Sequence, residues 1–163
     1  DINFLKNIII DGVAVLVVCL DSSELYEDNG SIDEEMLRTV SHAISEATYD
    51  QIILLNHYAI LDTDFDPLFN SRVLIKFMTD HQIEHIFCGH SHQLSIMRST
   101  DLYNNHSFTQ YKNGSLTSAN TPYDINMFMY YKNLGAEDME IHIVRVAIEN
   151  ESLNFTEEII AAN

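Results

Sequence analysis

Gly89-His90-Ser91-His92 closes a short apolar run, Ile86-Phe87-Cys88, and sets two imidazoles one residue apart. Imidazole is the commonest protein ligand for zinc, iron and related metals. A second apolar run, Gln51 to Leu55, ends in Asn56-His57-Tyr58, so His57 also stands at a strand tip. In an open α/β sheet the carboxyl ends of the strands look into the crevice where ligands bind. If the strand before His57 neighbours the strand before His90, the rings of His57, His90 and His92 converge. Three neutral imidazoles form a partial shell, because zinc takes four ligands and two-metal centres also draw on carboxylates. Gly89 is expected to end the strand and let the backbone turn. The remaining histidines (His42, His81, His85, His106, His142) fall in helices, loops or polar stretches and read as surface or partly buried groups.

The elements that must carry these rings follow from periodicity. Asn7 to Asp11 and Val13 to Leu20 are apolar runs broken by Asp11-Gly12, the favoured hairpin dipeptide, and the second run is apolar enough to be buried on both faces. Ser31 and Glu34 have the spacing of a capping box, and Met36, Leu37, Val40, Ile44 and Ala47 recur at helical spacing up to about Thr48. Leu68 to Asp80 is a second amphipathic helix, with Val73, Leu74, Phe77 and Met78 on one side. From Val13 to His92 the chain alternates strand, helix, strand, helix, strand, the pattern of an α/β sheet with right-handed crossovers. Beyond His92 the runs Leu94 to Arg98, Ser107 to Tyr111, Asn126 to Tyr131 and Ile141 to Ile148 read as antiparallel strands. Leu153 to Ile160 is either an edge strand or a frayed tail.

Composition bounds the partners. The 163 residues fit one domain, are 46% hydrophobic, and carry a net charge of -17 from 25 acidic against 8 basic residues. The basic residues are scattered singly, so no patch exists to neutralise a phosphate backbone, and extended nucleic acid is excluded as a partner. The apolar stretch Val13 to Leu20 is too short to span a bilayer, so no membrane partner is expected. Cys19 and Cys88 sit in apolar runs as small core residues, which fits a reducing, cytoplasmic compartment.

Beyond this bottom-up reading, four landmarks in order resemble the carboxyl-terminal half of a calcineurin-like metallophosphoesterase, nearest to cyclic-nucleotide phosphodiesterase-like members. They are Leu20-Asp21-Ser22 followed by Gly30 and a helix, Asn56-His57-Tyr58, Gly89-His90-Ser91-His92, and Asn113-Gly114-Ser115-Leu116 followed by Asn126-Met127-Phe128. The resemblance implies a four-layer α/β/β/α sandwich of which residues 1–163 form a single, carboxyl-terminal portion. It implies hydrolysis of a small phosphate ester at a centre of two divalent metal ions, manganese, iron or zinc. His57 and His90 would be ligands of one ion and His92 of the other. The chain departs from the family pattern in having Ala59 where proline is usual. It also lacks the D-x-H, G-D-x-x-D and G-N-H motifs that precede the L-D-S segment, so it holds no catalytic acid of its own. A half-sandwich leaves a strand edge and apolar faces uncovered. The expectation is therefore a segment of a longer enzyme, completed by its amino-terminal half or by another copy of the chain.

Two other readings stand beside this one. One is a scaffold or binding module on the same fold with an incomplete metal centre. The other is a structural zinc site using Cys88, His90 and His92, which share strand parity. Substrate selectivity would fall to the loops 62–70 and 113–123, and Tyr58 reads as a packed aromatic.

Overall fold

In the computed structural model the apolar run Val13 to Leu20 is a central strand, β2 (Val13–Leu20), buried on both faces: Leu16 and Val18 on one, Val15 and Val17 on the other. The structure describes residues 3–10, 12–23, 30–61, 70–91, 93–102, 104–113, 127–133, 139–149 and 152–161. β1 (Phe4–Ile10) pairs antiparallel with β2 across a turn in which Gly12 has φ 89°, a conformation glycine takes without a side-chain clash.

The chain divides into two compact units, residues 1–91 with 95–112, and residues 92–94 with 113–163. The first unit is a six-stranded sheet of order β1-β2-β3-β4-β6-β5. β3 (Gln51–Asn56) and β4 (His85–Cys88) run parallel to β2, each joined to the strand before it through a helix. β5 (Ser95–Asp101) and β6 (His106–Lys112) correct the expectation of a wholly antiparallel second half. They pair antiparallel with each other, but β6 docks parallel to β4 and so extends the first sheet. β6 carries Phe108, Gln110 and Tyr111, all buried, and a strand buried on both faces belongs inside a sheet, leaving the half-exposed β5 as the edge.

Both helices cover one sheet face. α1 (Glu34–Glu46) buries Leu37, Val40 and Ile44, and α2 (Ser71–Asp80) buries Leu74, Phe77 and Met78. They share one core with Leu16, Val18, Leu20, Ile52, Leu54, Ile86 and Phe108, alternate positions along their strands. The α1 cap differs from the Ser31–Glu34 box. Asp33 is the N-cap, and its carboxylate accepts from the backbone N–H of Glu35 at 2.7 Å and of Met36 at 3.4 Å. Ser31 lies outside the helix, its own N–H given to the Ser22 carbonyl at 3.0 Å. Residues 68 and 69, where α2 was expected to begin, lie outside the described residues. Asn70, the cap position of α2, spends its side chain elsewhere: it accepts from the Ile32 N–H at 2.8 Å and donates to the Ile32 carbonyl at 2.7 Å.

The second unit holds an antiparallel sheet of order β7-β8-β9, made of β7 (Met127–Lys132), β8 (Glu140–Glu149) and β9 (Ser152–Ala161). The Leu153 to Ile160 run is thus an edge strand and not a frayed tail. His142, expected at or near the surface, is 1% exposed. Carboxylates meet both its nitrogens, Glu157 at 2.6 Å from Nδ1 and Glu140 at 2.9 Å from Nε2, and the Tyr130 ring stacks on it. No helix among the described residues is long and apolar enough to cross a membrane.

Candidate metal centre

Because β3 and β4 are adjacent and parallel, their carboxyl tips lie side by side; His57 directly follows β3, and His90 follows β4 after Gly89. The two rings meet: His57 Nε2 lies 3.1 Å from His90 Nδ1, with centroids 5.1 Å apart and planes 78° from parallel. The Gly89 N–H donates to the His57 carbonyl at 3.0 Å and ties one tip to the other. His57 is exposed and His90 half-buried, so the pair opens to solvent.

The turn that aims His90 is not made as expected. Gly89 has no left-handed φ, and a Cβ placed on it would touch nothing within 4 Å. The left-handed residue is His90 itself, at φ 66°. A non-glycine residue in this region costs about 1–2 kcal/mol and persists only where its surroundings hold it. The strand ends at Cys88, so the left-handed step breaks the parity on which a Cys88–His90–His92 zinc site depended. Cys88 is 7% exposed and directs its thiol to the Tyr111 carbonyl, at 3.7 Å. His92 lies outside the described residues, as do Asp62, Asp64 and Asp66 and most of the loop 113–123. Asp21, at the tip of β2, caps its own loop by accepting from the Ser23 N–H at 3.0 Å.

The segment after His57 carries Ala59 in place of the family's proline and is fixed by side chains from the sheet. Asn56, 6% exposed, donates to the Tyr58 carbonyl at 2.8 Å. Gln110 on β6, fully buried, accepts from the Ile60 and Leu61 N–H groups at 2.8 and 3.0 Å. From sequence Asn56 entered only as the neighbour of His57, and Gln110 was not singled out. A polar residue in a strand does not say what its amide holds. Ser22 Oγ, Asn56 Oδ1, Ser91 Oγ and Gln110 Nε2 are buried without a hydrogen-bond partner among the described residues.

Two nitrogens each about 2.0–2.1 Å from one zinc ion stand about 2.9–3.4 Å apart, from right-angled to tetrahedral coordination. The 3.1 Å separation falls in that window, so the pair fits neighbouring positions on a single ion. Among the described residues no group of three or more His, Cys, Asp or Glu side chains is arranged to hold a metal ion. An ion held by this pair would need further donors.

No family model matches the chain, and no curated protein matches it. Solved structures do. GAP50, the anchor in the inner membrane complex of Plasmodium, aligns with 98% of this chain and 49% of its own, at 12% identity and a TM-score of 0.53. A 5'-nucleotidase from Candida albicans aligns with 99% of this chain and 27% of its own, at 13% identity and a TM-score of 0.45. A hypothetical protein from Thermus thermophilus aligns with 96% of this chain and 61% of its own, at 9% identity and a TM-score of 0.44. The chain spans about a quarter to three-fifths of the length of these structures. At 12% identity the likeness to GAP50 is one of fold.

Proposed function

We propose that this chain supplies part of a two-metal centre that hydrolyses phosphate esters, whether a phosphodiester such as a cyclic nucleotide or a monoester. The observation that carries the reading is the approach of His57 Nε2 and His90 Nδ1 to 3.1 Å at adjacent parallel strand tips. His57 and His90 would hold one ion and His92 would serve the other. The remaining ligands and the proton donor would come from the amino-terminal half of a longer protein, or from a second copy, within a four-layer α/β/β/α sandwich. Manganese, iron or zinc, when bound, would neutralise phosphate oxygens and activate water. This chain's residues hold the imidazoles in place before any ion arrives: Gly89 ties the tips together, while Asn56 and Gln110 fix the segment behind His57. Such preorganisation leaves little to rearrange on binding.

The test is His90→Ala in the complete protein. Metal content is expected to fall and ester hydrolysis to be lost; full retention of both would overturn the reading. One observation favours the alternative of a scaffold module on the same fold. The imidazole pair can be closed on itself by a hydrogen bond, one nitrogen donating to the other, and then needs no ion. Metal analysis of the complete protein separates the two, since a scaffold with a self-satisfied pair would purify and titrate without metal.

A further inference from the structure

We infer that Tyr58 is a positioning residue whose ring braces the His57–His90 pair, and that Gly30 is the recess that lets it stand there. This rests on the metal-centre reading for its purpose, but not for its geometry.

Tyr58 is 5% exposed although it directly follows an exposed histidine. Its ring centroid lies 4.3 Å from that of His90, tilted by 41°, and 5.0 Å from that of His57, edge-on at 89°. With the 5.1 Å between the imidazoles, the three rings form a closed triangle. The tyrosine ring is in close contact with both imidazoles, tilted against His90 and perpendicular to His57, so it restricts the rotamers that would part the nitrogens. That restriction matters most for His90. Its left-handed backbone does not favour the aim of its ring, so neighbours must set it.

Behind the tyrosine is Gly30. It has no left-handed φ, so its backbone does not explain the glycine. Space does: a Cβ there would lie 2.3 Å from Tyr58 Cδ2, 2.7 Å from Tyr58 Cγ and 2.6 Å from the Ser22 carbonyl oxygen. The carbonyl side cannot give way, because Ser22 O accepts from the Ser31 N–H at 3.0 Å and Ser23 bridges to Gly30. A side chain at position 30 therefore pushes the tyrosine, and the tyrosine pushes His90. The Tyr58 carbonyl accepts from the Asn56 side chain at 2.8 Å, which holds its backbone. Glycine 30, far from the histidines in sequence, thus reaches them through one ring.

The test compares Tyr58→Phe, Tyr58→Leu and Gly30→Ala with wild type, and with Leu74→Ala as a core-destabilised control. The whole chain is used, below the melting temperature of each variant. Two readouts are taken: ring-to-ring proton NOEs between His57 and His90, and affinity for zinc ion alone. Tyr58→Phe should keep both, since the brace is the ring and not its hydroxyl. Tyr58→Leu and Gly30→Ala should lose the NOEs and bind zinc about 10–100-fold more weakly, the usual cost of removing a group that orients a ligand. Leu74→Ala should lose stability and keep both. If Tyr58→Leu retains the NOEs and the zinc affinity, the inference is overturned; should Gly30→Ala not fold, Tyr58→Leu alone decides. If wild type binds no zinc, the metal-centre reading loses support while the NOEs still decide the role of the ring.

Discussion

At His90, alanine and glycine should reverse their usual order of stability. In ordinary backbone, alanine is the more stable of the two because glycine leaves the unfolded chain freer, by about 0.5–1 kcal/mol. His90 sits at φ 66°, where an L side chain costs about 1–2 kcal/mol that glycine does not incur. Both substitutions remove the same imidazole, with its contact to Tyr58 and its hydrogen bond to His57, so those losses cancel in the comparison. What remains favours His90→Gly over His90→Ala by about 0–1.5 kcal/mol, centred on about 0.75 kcal/mol. With a urea slope of about 2 kcal/mol per molar, the glycine variant should unfold about 0.4 M later, and by no more than about 0.75 M. Urea titrations followed by circular dichroism, with matched slopes, read this directly. His90→Asn, which introduces a side chain that tolerates the left-handed region, should fall between the two. An alanine variant more stable than the glycine variant by about 0.5–1 kcal/mol, the order of ordinary backbone, would refute the reasoning. The tip would then not be held in a strained conformation, and the aim of His90 would need another explanation.

Asp33→Ala should destabilise by about 1 kcal/mol through loss of the α1 cap, while Ser31→Ala should stay within about 0.5 kcal/mol, as urea unfolding will show. Gln110→Ala strips the acceptor from the Ile60 and Leu61 amides and should cost about 2–4 kcal/mol, with faster hydrogen exchange at both amides; unchanged exchange would count against the tie. Burial holds the His85 and His81 imidazoles below the usual histidine value, against the opposing pull of Glu84 and Asp80. With folded values depressed, the unfolded chain binds more protons below about pH 6.5, so these two residues contribute stability above that pH and lose it as the pH falls through their folded values. The His81→Asn/His85→Asn double variant should show a shallower loss of stability on acidification from neutrality than wild type, and an equal slope would sink the assignment.

Local pattern made much of this chain legible. The Val13 to Leu20 run had to be a doubly buried strand because no face of it is polar, Asp11-Gly12 had to turn, and Leu37, Val40 and Ile44 had to share a helix face. The strand-tip positions of His57 and His90 were readable for the same reason: each follows an apolar run that ends abruptly. Sequence misjudged features that turn on competition between neighbours. Ser31 was the expected cap of α1, but the helix starts two residues later, where the Asp33 carboxylate takes the Glu35 and Met36 amides and the Ser31 amide goes to the Ser22 carbonyl. Gly89 looked like the turn residue, but the left-handed step fell on His90. The partnership of β6 with β4 was also hidden, because strand order is set by long-range pairing and leaves no local mark. His92 and residues 62–69 of the loop 62–70 lie outside the described residues.

Residue types and their spacing were enough to name the imidazoles and to put them at the ends of strands. Only the folded chain decided that two of those rings touch, that a tyrosine stands against both, and that glycine 30 leaves it room. Those contacts join residues dozens of positions apart, and a side chain cannot report from its own neighbourhood in sequence what the sheet will bring beside it.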